Sequence, residues 1–350
     1  MYGSYAGRTC RARTARTGAG AALAALLLLA GCSSDSSSAE PPKAADAPPR
    51  QPAQLPKSRA PFWVNPESTA SKRSAELRKD GSIKQADLLE KIATQPVAEW
   101  IGVDDPEGQT RGYTEAAHAA DRVALLVLYN IPHRDCGQYS QGGASDGNSY
   151  RDWLDKAAKG IGDRGATVIL EPDALPHMED GCTPQQFHEE RYALLKESVG
   201  KLKALPHTKV YLDAGNSSWV TPADRMVDPL KRAGIDQADG FALNVSNFQT
   251  TQDNKEYGHT LSALLGGKHF VIDTSRNGNG PLSGANHEKA WCNPSGRALG
   301  EPPTTHTGDA LVDAYLWVKR PGESDGTCKG GPDAGQWWET YALELARNAR

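Results

Sequence analysis

Seven short apolar runs recur along the chain, at 97–101, 123–129, 167–170, 209–212, 240–243, 269–272 and 314–318. Each is rich in branched or aromatic residues and nearly continuous in hydrophobicity, as a strand covered on both faces must be. Amphipathic stretches lie between them, and those at 150–161, 184–205, 222–232 and 254–265 predict helices. Thr183 before Pro184 and Thr221 before Pro222 predict two helix starts, each with a capping residue ahead of a proline at the first helical position. Alternating strand and helix predicts a parallel α/β architecture.

Polar and ionisable residues follow the runs: Asp135 after the second, Glu171 and Asp173 after the third, Asp213 and Asn216 after the fourth, Asn244 after the fifth, Asp273 after the sixth, and Lys319, Glu323 and Asp325 after the seventh. In a closed barrel these carboxyl ends converge on one mouth, whereas a doubly wound open sheet spreads them along a crevice. Any one Asp after a strand can be a cap or turn former. Five strand ends bearing Asp or Glu point instead to an active site on a β/α barrel of seven recognisable strands.

The first residues stand apart from this pattern. Arg8, Arg11, Arg13 and Arg16 precede an apolar run at 21–30, too short for a permanent membrane span, which reads as an export signal. The run ends in Leu29, Ala30, Gly31 and Cys32, which resembles the lipobox of bacterial lipoproteins, a family in which the cysteine is lipidated. The expected organisation is a lipoprotein signal peptide over 1–31, a lipid-anchored flexible tether over 32–60 and a catalytic domain over 61–350. The tether is rich in Ser, Ala, Pro and charge and holds too little apolar surface to offset its ordering entropy. An extracytoplasmic, membrane-anchored location follows.

Net charge is −4, and the segment before Cys32 holds four Arg and no acid, which leaves the remainder near −8. An acidic chain without a basic cluster is a poor partner for nucleic acid. Outside the cytoplasm, Cys136, Cys182, Cys292 and Cys328 suggest two disulfides. Four cysteines allow three pairings, of which the sequence-local one joins Cys136 to Cys182 and Cys292 to Cys328. No Cys-x-x-Cys or close His pair has zinc-ligand spacing, so no metal is expected.

Asp173 sits in a Glu-Pro-Asp turn, with Asp135 at the neighbouring strand end. An isolated Asp titrates near pH 4 and cannot act as an acid at neutral pH, but burial or a second carboxylate raises its affinity for the proton. At this level of detail the sequence resembles glycoside hydrolase family 6. VLYNIPHRDCG at 127–137 resembles the family's first signature and VILEPDALP at 168–176 its second. Blocks at 211–215, 272–280, 291–297 and 317–326 agree, and the similarity runs from Phe62 to the C-terminus.

The resemblance implies a distorted seven-stranded parallel β/α barrel, and an inverting enzyme that cleaves β-1,4-glucan or cello-oligosaccharide without a cofactor, taken as a monomer. By position, it implies that Asp173 is the general acid, Asp135 the Asp that raises its pKa, and Asp325 the contested base. Asp213 matches a further cleft Asp and Tyr129 the tyrosine near the reacting ring. Lys319, Glu323 and Asn244 match sugar-binding positions, and Trp100, Trp219 and Trp291 match platforms on which glucose rings stack. Trp153 and Trp317 read as core.

Two positions depart from the family pattern: Asn216 stands where many members have His, and Gln141 where a small Ser is expected, beside Ser140. The segments after Asp173 and between Trp291 and Lys319 carry no long insertion, which favours an open cleft and endo action over a cellobiohydrolase tunnel. A surface lipoprotein that binds glycans without cleaving them is the reading from another functional class.

Overall fold

The computed structural model describes residues 60–282 and 290–350. The expected signal peptide, the tether to residue 59 and lipidated Cys32 lie outside the described residues. Seven strands form one parallel sheet in chain order: β1 Glu99–Ile101, β2 Ala124–Leu128, β3 Ala166–Leu170, β4 Thr208–Asp213, β5 Gly240–Leu243, β6 His269–Asp273 and β7 Val312–Leu316. The helices are α1 Thr69–Lys79, α2 Ile83–Ala93, α3 Pro106–Ala119, α4 Gly147–Ile161, α5 Pro176–Glu179, α6 His188–Lys203, α7 Val227–Arg232, α8 Thr251–Leu264 and α9 Glu339–Asn348.

Strand alternation divides the core. Leu125, Val127, Ile169, Tyr211, Ala242, Val271 and Ala314 meet in the barrel interior. Their neighbours Leu126, Leu128, Val168, Leu170, Val210, Leu212, Phe241 and Ile272 face the outer helices. Successive side chains on a strand point to opposite faces, and here both faces are covered, so the runs are apolar throughout.

β1 and β7 are the two ends of the sheet and form no ladder with each other. The Ala98 N–H donates to the Trp317 carbonyl at 3.0 Å, and the Trp100 indole N–H to the Val318 carbonyl at 2.9 Å. These bonds explain why β7 ends at Leu316 although the apolar pattern continues to 318: the last two carbonyls turn from β6 toward β1. Helices α1, α2 and α9 pack outside around buried Trp317, and Trp153 is buried on the inner face of α4.

Both Thr-Pro expectations need correction. Pro184 is extended (ψ 137°), a short 3-10 turn precedes α6, and the Thr183 hydroxyl accepts from Arg191 at 2.8 Å instead of capping a helix. The Thr221–Pro222 peptide is cis, and a 3-10 turn at Ala223–Met226 precedes α7. The N-caps with side-chain bonds are Ser68 for α1, Asp105 for α3, Asp146 for α4 and Thr250 for α8.

Candidate active site

The carboxyl ends of the strands are braced by acids that never reach the cleft. Glu171 is buried, and its carboxylate accepts the backbone N–H groups of Asn130 at 3.0 Å and Ile131 at 2.9 Å. Asp273 does the same across three strand ends, accepting from Ser246 at 2.9 Å, Ser275 at 2.9 Å and Lys319 at 3.0 Å. The turns they hold are strained, with positive φ at Asp135 (55°), Glu171 (48°), Asp173 (69°) and Asn244 (65°). Such conformations persist only where surrounding bonds over-determine them.

A cleft of about 720 Å³ opens over these ends. On one wall the Tyr129 hydroxyl reaches Asp173 Oδ2 at 3.5 Å, and Asp135 accepts the Ser140 N–H at 2.5 Å. Burial pushes Asp173 up to about 6; His177 opposes that rise and Asp135 adds to it. Burial also raises Asp135, against the Ser140 N–H and the charges of His177 and Arg134. Asp213 lies behind Asp173, and burial followed by the charge of Asp173 raises it well above the carboxylate range.

Asp325, beyond the end of β7, lines the same cleft. Its Oδ2 accepts from Arg276 at 2.9 Å and from the Asn293 N–H at 3.0 Å, and Lys319 Nζ lies 3.4 Å from Oδ1. Burial would raise it, but Arg276 and Lys319 outweigh burial and hold it below the ordinary range. Burial lowers Lys319 itself. The cleft therefore carries one carboxyl that holds its proton to about pH 6 and another held below the ordinary carboxylate range, the division of labour that acid–base cleavage needs.

Trp100, Trp219, Trp291, Lys319 and Glu323 all line the cleft. Trp100 packs edge-on against Tyr129 at 5.6 Å, and Trp291 lies 6.0 Å from Tyr139. Glu323 is engaged by Arg320 at 3.0 Å.

Two assignments are placed differently by the structure. Asn244 is fully buried, and its amide nitrogen donates to the Asp273 carbonyl at 2.8 Å while its oxygen accepts the Gln249 N–H at 3.0 Å. It shapes the β5 loop and presents nothing to a sugar. Asp213 lies beneath the cleft wall and does not line the cleft. Asn216 lines the cleft with its oxygen closing a turn onto Ser218 at 3.0 Å, and Gln141 is exposed at the rim.

Sequence reasoning passed over His177, Arg276 and Asn293. Arg276 and Asn293 lay within quoted blocks, and His177 stands one residue beyond one; its available signal was its position four residues after Asp173 on a turn opened by Pro176. The structure joins Cys136 to Cys182 and Cys292 to Cys328, the sequence-local pairing. The first bridge ties the Asp135 loop to the segment after α5, and the second flanks Asn293.

The model of glycosyl hydrolases family 6 matches residues 57–349. The chain belongs to this family. Endoglucanase A of Cellulomonas fimi is 50% identical over 75% of the chain and 56% of its own length. Endoglucanase A of Thermobispora bispora is 41% identical over 83% and 62%, so the chain spans about three fifths of these curated relatives. The endoglucanase Cel6 of Mycobacterium tuberculosis, solved with a thio-linked methyl cellobiosyl-cellobioside, superposes with a TM-score of 0.77 at 46% identity, covering 84% of this chain and 98% of that one. Family members share the distorted barrel of seven parallel strands described above.

Proposed function

We propose that this chain is an inverting, endo-acting β-1,4-glucanase with Asp173 as general acid. The carrying observation is the contrast across one cleft between Asp173, raised to about 6, and Asp325, held ionised by Arg276 and Lys319. Family membership and the name endoglucanase carried by both curated relatives support the substrate class and the endo mode.

In this reading Asp173 protonates the glycosidic oxygen as the bond to the anomeric carbon breaks. A water attacks the opposite face and surrenders its proton to the Asp325 side, directly or through further water. Inversion needs acid and base separated by roughly 6.5–9.5 Å so that the water fits. Tyr129 sits beside the acid at the reacting ring. Trp100, Trp219 and Trp291 offer flat apolar faces for the C–H surface of glucose units, and Lys319 and Glu323 offer polar contacts. Asp135 supports the acid's proton, and Asp213 supports its backbone.

The test is viscosity loss and reducing-sugar release on carboxymethylcellulose and mixed-linkage β-glucan, with Asp173→Ala beside the parent. Fast viscosity loss by the parent and none by the variant is expected. Binding of cello-oligosaccharide without cleavage would favour a glycan-binding protein instead. We propose further that the enzyme is a monomer held at the cell surface by lipid on Cys32, a reading that rests on the lipobox-like run. Metabolic labelling with a radioactive fatty acid, lost in Cys32→Ala, tests the anchor.

A further inference from the structure

We propose that His177 is a positioning residue that links the proton on Asp173 to the indole of Trp219 and thereby sets the upper pH limit of the reaction. The proposal rests on the reading of Asp173 as the acid. His177 lies on α5, its backbone N–H donates to the Asp173 carbonyl at 3.0 Å, and its ring is buried. Nδ1 is 3.2 Å from Asp180 Oδ2, and that same oxygen accepts the Trp219 indole N–H at 2.8 Å. One carboxylate oxygen thus holds imidazole and indole together, with the two rings edge-to-face at 4.9 Å.

A proton kept on Nδ1 by Asp180 turns Nε2 toward the acid cluster. Nε2 lies 4.0 Å from Asp135 Oδ1, and ligating atoms of His177, Asp135 and Asp173 all fall within 4.8 Å of one another. Asp213 stands behind Asp173, Tyr129 reaches over it, and Arg134 neighbours Asp135. Cys136 and Cys182 also approach the imidazole, but they are joined to each other and carry no charge.

Desolvation lowers the affinity of His177 for a proton, but the bond to Asp180 and the charges of Asp173, Asp180 and Asp135 more than restore it. The imidazolium in turn favours the Asp173 carboxylate, so it checks the rise that burial imposes on the acid. Linkage is reciprocal, and whatever alters one group's proton affinity must show in the other's.

The experiment pairs kinetics with titration. In His177→Gln, the alkaline limb of kcat/KM on a soluble cello-oligosaccharide is expected to move upward by on the order of one pH unit, as a nearby positive charge is lost. A limb that stays in place while kcat falls at every pH would reduce His177 to packing and overturn the proposal. NMR titration of the His177 ring is independent of activity and of that variant's folding: its midpoint should fall in Asp173→Asn, and an unchanged midpoint would also overturn the link. Tryptophan emission should step at the same midpoint, because imidazolium beside Trp219 quenches it, and the step should vanish in Trp219→Phe. Emission flat through the titration would remove Trp219 from the proposal. If the parent cleaves no β-1,4-glucan, the acid reading fails, while the titration still decides whether His177 and Asp173 are coupled.

Discussion

The backbone N–H of Asp173 donates to Asp213 Oδ2 at 2.8 Å, so the residue that bears the proton rests on a second buried carboxyl. Asp213 Oδ1 has no hydrogen-bond partner among the described residues. Asp213 is enclosed while Asp173 faces the cleft, so Asp213 holds its proton more tightly and is neutral when Asp173 ionises.

Asp213→Asn should therefore leave the alkaline limb of kcat/KM nearly unmoved, because an amide resembles the protonated acid and still accepts the Asp173 N–H. Asp213→Ala strands that N–H and should cost about 1–3 kcal/mol in denaturant unfolding. A limb displaced downward in the Asn variant would show that Asp213 carries charge.

Asp135→Asn should shift the alkaline limb in the direction opposite to His177→Gln. Asp135 raises Asp173, so deleting its charge lets the acid lose its proton at lower pH. Parallel pH profiles of the two variants check the opposed signs.

Glu171 is raised to about 7 by burial, against the N–H bonds from Asn130 and Ile131. A group whose folded pKa exceeds its unfolded one adds stability below the unfolded value and loses it as pH rises through the folded value. The melting temperature should fall between about pH 4.5 and 7, and Glu171→Gln should flatten that slope.

Removing the Cys136–Cys182 bridge by a double Ser substitution reopens a loop of sequence separation 46 and should cost about 4 kcal/mol on the chain-entropy account. Because that bridge holds the Asp135 loop, kcat/KM at pH 7 should fall before global unfolding is seen by circular dichroism.

Asn244→Ala should lower stability by about 1–3 kcal/mol by stranding the Gln249 N–H and the Asp273 carbonyl. Binding of cello-oligosaccharide per folded molecule should be unchanged, as calorimetry would read. A selective loss of affinity would return Asn244 to the sugar-binding set.

The strand runs were legible because a strand covered on both faces must be apolar throughout, and a residue at a strand's carboxyl end is placed by topology before any side chain is positioned. The sequence alone therefore determined the barrel of seven parallel strands, the mouth on which Asp135, Asp173 and Asp325 stand, and the family. It could not separate strand-end acids that face the cleft from those that brace it. Asp173 and Glu171 share one turn, yet Glu171 points inward to Asn130 and Ile131. Asn244 likewise looked like a sugar ligand until its amide was found spent on Asp273 and Gln249. Charge state was decided only in three dimensions: Arg276 lies far along the chain from Asp325 yet 2.9 Å away in space, and His177, a local neighbour of Asp180, meets Trp219 and Asp135 only once separate loops fold over one another. Apolar periodicity is local and survives in sequence, whereas proton affinity depends on burial and on neighbours that only packing brings together.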